Sequence, residues 1–190
     1  MTEEFRLPPG ARYVAEFIDP PAHDALIEAI DERPWIEDFK RRVQHYGYRY
    51  DYRARTVTPD AYLGPLPDWS IDLSDRLHGR GWFERSPDQL IVNEYLPGQG
   101  ISAHVDCVPC FGDGIVSISL ISTCQMVFKE RRTDDRRVAV LEPRSALLLS
   151  GPARLDWTHE IPARKSDPVY GQRLTRSRRL SLTFRTVEVE

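Results

Sequence analysis

The second half of the chain consists of short runs in which apolar and polar residues alternate, and this pattern constrains the fold more than any other feature. The runs cover residues 90–96, 115–121, 125–129, 138–141, 146–150, 156–161 and 179–187. Turn-forming sequences such as Pro97-Gly98 and Gly151-Pro152 separate them. Many short strands at this spacing are typical of a β-sandwich or barrel. We therefore predict a mainly β (α+β) fold, namely a double-stranded β-helix, or jelly roll, with supporting N-terminal helices.

Residues 1–88 show a different pattern. Apolar residues at helical spacing predict helices over 21–31 and 69–77. Between them, a tyrosine occupies every second position from Tyr46 to Tyr52, which predicts a strand over 46–52. No Gly- and Ser-rich linker divides the sequence. We therefore expect a single domain over residues 1–190, with helices and substrate-recognition strands in 1–88 and the jelly-roll core in 89–190.

The composition is that of an ordinary globular protein, with 190 residues of which 41% are hydrophobic and 29% charged. The 26 basic residues do not outnumber the 29 acidic ones, which excludes a uniformly basic nucleic-acid coat protein. The chain has three cysteines, no apolar leader and no apolar run long enough to span a bilayer. These features favour a reducing compartment, so we expect a cytoplasmic protein without a membrane segment.

One constellation has the residue types of a metal site. His104 and Asp106 are two positions apart in 101–106, so in an extended backbone both side chains project from the same face. His159 is the histidine downstream of them, within the predicted strand 156–161. Two histidines and one carboxylate form the facial triad of non-haem Fe(II) oxygenases, which leaves adjacent coordination positions open. A histidine and an aspartate at this spacing are also common without a metal.

The last predicted strand favours the metal-binding interpretation. Its alternation places Arg179, Ser181, Thr183 and Arg185 on one face and apolar residues on the other. This polar face either contacts solvent or lines the interior of the barrel. In the second case the two guanidinium groups require an anion inside, and an organic diacid that also chelates the metal fits that requirement. Asn93 and Tyr95 add hydrogen-bonding groups at matching two-residue spacing.

The order of these motifs resembles the AlkB-type Fe(II)- and 2-oxoglutarate-dependent dioxygenases, over about residues 89–187. The matching segments are Asn93 and Tyr95, the run 97–101, His104 and Asp106, the run 151–159, and 179–185. The resemblance implies that His104, Asp106 and His159 bind Fe(II) and act in catalysis. It implies that Asn93, Tyr95, Arg179 and Arg185 bind 2-oxoglutarate, with Arg179 on the distal carboxylate and Arg185 near the iron-chelating end. With O2, such an enzyme releases succinate and CO2, and formaldehyde when the oxidised carbon is an N-methyl group.

The substrate is less constrained. Members of this family act mostly on alkylated or modified bases in DNA or RNA, and residues 41–55 combine five Arg and four Tyr with one Asp, which favours nucleic acid. We take Tyr46, Tyr48 and Arg49 as candidate substrate-binding residues, although a tyrosine stripe also suits core packing. The best-known repair enzymes carry an acidic residue where this chain has Val108. The alternatives are the same chemistry on a protein side chain or small molecule, and a metal-binding jelly-roll module without catalysis.

Cys107 and Cys110 form a C-x-x-C motif directly after Asp106. A closed zinc site needs four ligands, and no second cysteine pair is present to complete one. We interpret the two cysteines as ordinary pocket or loop residues, with self-oxidation as an alternative.

Overall fold

The computed structural model describes residues 6–37 and 40–189, which form three α-helices and twelve β-strands. The helices are α1 (Pro20–Asp31), α2 (Asp68–Gly79) and α3 (Pro152–Leu155). The strands are β1 (Ala11–Val14), β2 (Val43–Tyr46), β3 (Gln89–Tyr95), β4 (Ile101–His104), β5 (Phe111–Leu120), β6 (Cys124–Glu130), β7 (Arg136–Leu141), β8 (Ala146–Leu149), β9 (Trp157–Ile161), β10 (Ser166–Val169), β11 (Gln172–Thr175) and β12 (Arg179–Val187).

Most of these strands belong to two antiparallel sheets. The major sheet has the order β1-β8-β5-β12-β3-β2, and the minor sheet has the order β4-β9-β6-β7. Strands β10 and β11 form a separate hairpin. Apart from the β6–β7 hairpin and the pair β2–β3, neighbours in the sheets are not consecutive along the chain, as in a jelly-roll topology. The predicted mainly β fold, a double-stranded β-helix with N-terminal helices, is confirmed.

The alternation along β12 explains how the layers assemble. Leu180, Leu182 and Phe184 are fully buried and point toward the helices, where they join an apolar cluster with side chains of α1 and α2. A second apolar cluster includes side chains from both sheets, among them Phe128 from the minor sheet and Leu147 from the major sheet. The opposite face of β12 carries the polar residues, and it therefore lies on the side of the major sheet that holds the cavity.

Two strands from the N-terminal part of the chain form the edges of the major sheet. Strand β1 pairs with β8, and β2 pairs with β3. Both predicted helices are confirmed within two residues at each end. Within residues 6–37 and 40–189, no helix has the length and apolarity needed to cross a membrane.

The predicted strand over 46–52 is wrong, because β2 ends at Tyr46. Gly47 follows with φ of +76°, and a Cβ atom there would lie 1.8 Å from the carbonyl oxygen of Asp88. A glycine is therefore needed at this close approach, and the chain leaves the sheet at that point. Beyond it, residues 48–62 form a loop that contains isolated β-bridges, one of them between Tyr48 and Tyr62.

Candidate metal and co-substrate site

The structure brings the three predicted metal-binding side chains together between the sheets. His104 ends β4 and lies directly opposite His159 in the neighbouring β9, with ring centroids 4.3 Å apart. Asp106 follows two residues after β4, and its Oδ1 lies 3.3 Å from Nε2 of His104 and 3.8 Å from Nε2 of His159. The three candidate ligand atoms all lie within 4.8 Å of one another. One cation can contact all three.

Hydrogen bonds around the triad orient the ligand atoms toward that position. Nδ1 of His104 lies 2.7 Å from the carbonyl oxygen of Ser102, which directs Nε2 toward the site. Arg185 donates from Nε to Oδ2 of Asp106 at 2.9 Å, so that Oδ1 faces the two imidazoles. Arrangements of this kind, in which outer groups fix each ligand, are typical of metal sites in proteins.

The electrostatics also suit a divalent cation. Burial acts to raise the pKa of Asp106, but the charge of Arg185 and a hydrogen bond with His104 outweigh it and hold that pKa well below its usual range. Burial, together with the neighbouring His104, lowers the pKa of His159 to about 4. Asp106 is therefore a carboxylate and His159 a neutral imidazole near neutral pH, and these are the protonation states that bind metals.

Arg154 anchors the loop that carries Asp106, and no sequence pattern pointed to it. Only 3% of its surface is exposed, and it lies in α3, shortly before the strand of His159. Its guanidinium donates to the backbone carbonyls of Asp106, Cys107, Phe111 and Gly112 at 3.0 to 3.3 Å. One buried side chain therefore connects the loop that carries Asp106 to α3, which precedes the strand of His159.

Arg179 has the features expected of a carboxylate-binding residue. It is 3% exposed, and Nη2 donates to Oγ of Ser119 at 2.8 Å. Its Nε and Nη1 have no hydrogen-bond partner among the described residues. Unpaired buried donors are costly, so a guest with acceptor oxygens fits there. Arg179 borders a small void that shares Tyr95 and Ile161 with the main cavity.

The main cavity has a volume of about 570 Å³ and contains the triad. Asn93 and Tyr95 line it on the β3 side, and Ser181, Thr183 and Arg185 line it from β12. The polar face of the last strand thus faces the cavity rather than solvent. The size and the mixed lining suit a small organic acid together with part of a larger substrate.

The mouth of the cavity is basic and aromatic. We use the term mouth for five residues of the lining, of which Lys40 and Arg55 are exposed: Lys40, Arg41, Tyr50, Tyr52 and Arg55. Arg41 donates from Nε to Oδ1 of Asn93 at 2.9 Å, and the rings of Tyr50 and Tyr52 meet edge to face at 5.0 Å. Among the described residues that line the cavity, Asp106 is the only acid.

The three predicted substrate-binding residues do not line this cavity. Tyr46 packs against Trp69 beside the core cluster, and Tyr48 packs against Tyr62. Arg49 is exposed and outside the cavity lining. The turn at Gly47 is the physical reason, because it ends the strand, and Tyr50 and Tyr52 line the cavity instead.

A second basic cluster lies in residues 164–179, but most of its charge is neutralised. Arg164 and Arg176 both pair with Asp167, which is fully buried. Arg178 pairs with Asp31 and with Glu94, which is also buried. These arginines are structural, and the free positive charge near the cavity comes from the mouth.

The two cysteines of the C-x-x-C motif form a disulfide, a pairing that their interpretation as ordinary pocket or loop residues did not include. Their Cα atoms are 5.3 Å apart, which lies within the range that a disulfide can bridge. Cys107 lines the cavity that holds the triad.

Comparisons with known proteins agree with this geometry. A family model described as the 2OG-Fe(II) oxygenase superfamily matches residues 32–185. An Arabidopsis thaliana protein named "Alkylated DNA repair protein ALKBH8 homolog" is 38% identical over 94% of this chain. The chain belongs to the AlkB-type 2OG-Fe(II) oxygenases. Enzymes of this family use Fe(II), 2-oxoglutarate and O2, and the triad supplies the residue types for that iron.

Further relatives of this AlkB-type oxygenase differ in length. A Macaca fascicularis protein named "tRNA (carboxymethyluridine(34)-5-O)-methyltransferase ALKBH8" is 39% identical over 86% of the chain. The chain spans 58% of the Arabidopsis relative and 26% of the macaque one. The solved structure of OsALKBH1 is 21% identical, with a TM-score of 0.70 over 95% of this chain and 98% of that one. This likeness supports the shared fold.

Proposed function

We propose that this AlkB-type oxygenase hydroxylates or oxidatively demethylates a modified nucleobase in RNA. The observation that carries the proposal is the mouth, because Lys40, Arg41 and Arg55 line the same cavity as Tyr50, Tyr52 and the triad. Cationic side chains contact phosphates, and aromatic rings stack on unpaired bases, which is how proteins recognise single-stranded nucleic acid. The base must be unpaired or flipped to reach the triad at the bottom of the cavity.

In this proposal His104, Asp106 and His159 hold the Fe(II). Arg179 pairs with the distal carboxylate of 2-oxoglutarate, because its two unpaired donors are buried beside Tyr95. When bound, iron and 2-oxoglutarate convert O2 into an oxidant for a C–H bond, and succinate and CO2 are released. Arg185 keeps Asp106 ionised and fixes the oxygen that faces the metal.

The charge of the mouth also favours one type of base. Bases alkylated on a ring nitrogen of adenine or cytosine carry a positive charge, which three cations at the entrance repel. A neutral or anionic base meets no such repulsion. Because relatives carry names that refer to carboxymethyluridine in tRNA, we propose a modified uridine as the base.

The experiment compares two arginine variants that remove the same charge. Arg55→Gln changes the mouth, whereas Arg49→Gln changes an exposed arginine of the same loop that does not line the cavity. With modified tRNA as substrate, Arg55→Gln should raise KM about tenfold, as expected for a lost phosphate contact worth about 1–2 kcal/mol, and Arg49→Gln should not.

The salt dependence of binding provides a second readout, because each lost phosphate contact reduces its slope by about one. Equal effects of the two variants would contradict the assignment of the mouth. Turnover of a peptide or small molecule, with none on RNA, would contradict the nucleobase proposal while leaving the oxygenase reaction intact.

A further inference from the structure

The Cys107–Cys110 pair lies beside the oxidising centre of the molecule. Cys107 is adjacent to Asp106 in sequence and lines the cavity of the triad. The two residues are only 9% and 5% exposed, and of the pair Cys107 alone lines the cavity. The third cysteine, Cys124, is buried and free.

We propose that this pair is an internal thiol substrate, which the enzyme oxidises to a disulfide when no nucleobase occupies the cavity. The inference rests on the family's oxygenase reaction and does not depend on the nature of the nucleobase. The C-x-x-C motif is thereby a modification site that protects the cavity from oxidation without substrate.

The oxidation of the pair takes place in two steps. One 2-oxoglutarate and one O2 give succinate and CO2, and the second oxygen atom enters the S–H bond of Cys107, which becomes a sulfenic acid. The thiol of Cys110 then attacks this sulfur, an S–S bond forms, the S–O bond breaks, and water leaves with the thiol proton. An external thiol returns the pair to the dithiol by exchange.

The cysteine pair lies close to the backbone of a mouth residue, which connects the redox state of the pair with the mouth. Both sulfur atoms lie near the carbonyl oxygen of Arg55, at 3.3 Å from Cys107 and 3.5 Å from Cys110. A thiol can donate a hydrogen bond to this carbonyl, but a disulfide has no proton to donate. Oxidation therefore removes the hydrogen-bond donors that the loop of Asp106 offers to the mouth, while the sulfur atoms still lie beside this carbonyl.

Arg154 makes this change possible without loss of the metal site. It donates to the carbonyls of Asp106 and Cys107, together with two more at the start of β5, which follows the loop. These hydrogen bonds involve only backbone oxygens, so they are available in both the dithiol and the disulfide states.

The test uses the full chain, reduced and loaded anaerobically with Fe(II) and 2-oxoglutarate, without nucleic acid or ascorbate. Oxygen is then admitted, thiols are blocked at intervals, and disulfides are mapped by peptide mass spectrometry while succinate is measured. We expect the thiols of Cys107 and Cys110 to be lost together, with about one succinate per disulfide, and Cys124 to remain free. In Cys110→Ser, a sulfenic-acid reagent should label Cys107.

Val108→Ala is the matched control, because this exposed residue lies between the cysteines and leaves both thiols in place. It should form the disulfide as the unmodified chain does. The proposal is overturned when the disulfide forms equally fast without 2-oxoglutarate, when succinate accumulates while both thiols persist, or when Cys107 is not labelled in Cys110→Ser. If the unmodified chain forms no succinate, the proposal is overturned as well, because it depends on the oxygenase reaction.

Discussion

Replacing Arg154 by methionine tests how the fold holds the metal site. Methionine keeps the apolar stem but removes the guanidinium that donates to four backbone carbonyls. A buried acceptor that loses its donor costs about 1–3 kcal/mol. Because the loop can relax toward solvent, the four acceptors do not each lose this full amount. We therefore expect the free energy of unfolding to fall by about 3–5 kcal/mol.

The same change should weaken metal binding without touching a ligand. The loop between β4 and β5 loses its anchor, so the carboxylate of Asp106 is less often in place. Loss of groups that orient ligands typically costs about 10–100-fold in metal affinity. Chemical denaturation gives the change in stability, and anaerobic titration with Mn(II) gives the change in affinity.

Arg131→Met is the matched control. Arg131 is exposed and donates to a single carbonyl, that of Leu155, at 3.2 Å. Its loss should cost less than about 0.5 kcal/mol and leave Mn(II) affinity unchanged. If Arg154→Met behaved like Arg131→Met in both assays, the anchoring role of Arg154 would be refuted.

Three further predictions concern the binding of 2-oxoglutarate, a buried ion-pair network and a buried histidine. Arg179→Gln should weaken 2-oxoglutarate binding about 100-fold in anaerobic calorimetry, because a buried ion pair is broken, while Mn(II) affinity stays within about twofold; an unchanged 2-oxoglutarate affinity would contradict the assignment. Glu94→Gln should lower the free energy of unfolding by about 3 kcal/mol, since two arginines lose their buried partner, and a loss below about 1 kcal/mol would argue against that network. Burial, with nearby arginines, lowers the pKa of His45 from 6.5 to about 4, so the unfolded chain takes up the proton first as pH falls. Between about pH 6.5 and 4 this histidine should therefore lower the free energy of unfolding by about 2–3 kcal/mol. His45→Gln should reduce the total decrease by that amount, while the contribution of His159 remains; parallel profiles would refute the assignment.

The sequence carried enough information for the fold and the centre of the site. Alternation along residues 179–187 is a period-two signal that depends on burial alone, and it separated the apolar face from the polar one correctly. His104 and His159 could be matched because metal ligands are restricted to few residue types. Their convergence follows from the register of β4 against β9.

The remaining features depend on contacts between distant residues. The turn at Gly47 is required by the carbonyl of Asp88, which no local pattern reveals, and this turn decided which tyrosines reach the mouth. Arg154 acts through backbone carbonyls, whose positions leave no trace in side-chain periodicity. The neutralisation of the second basic cluster by Asp167 likewise depends on how the β10–β11 hairpin folds back.

The most direct test of the account is a crystal structure of the chain with Mn(II) and 2-oxoglutarate, grown without oxygen. The ion should contact Nε2 of His104, Oδ1 of Asp106 and Nε2 of His159, and the distal carboxylate of 2-oxoglutarate should pair with Arg179. An ion held by other residues, or a distal carboxylate remote from Arg179, would contradict it.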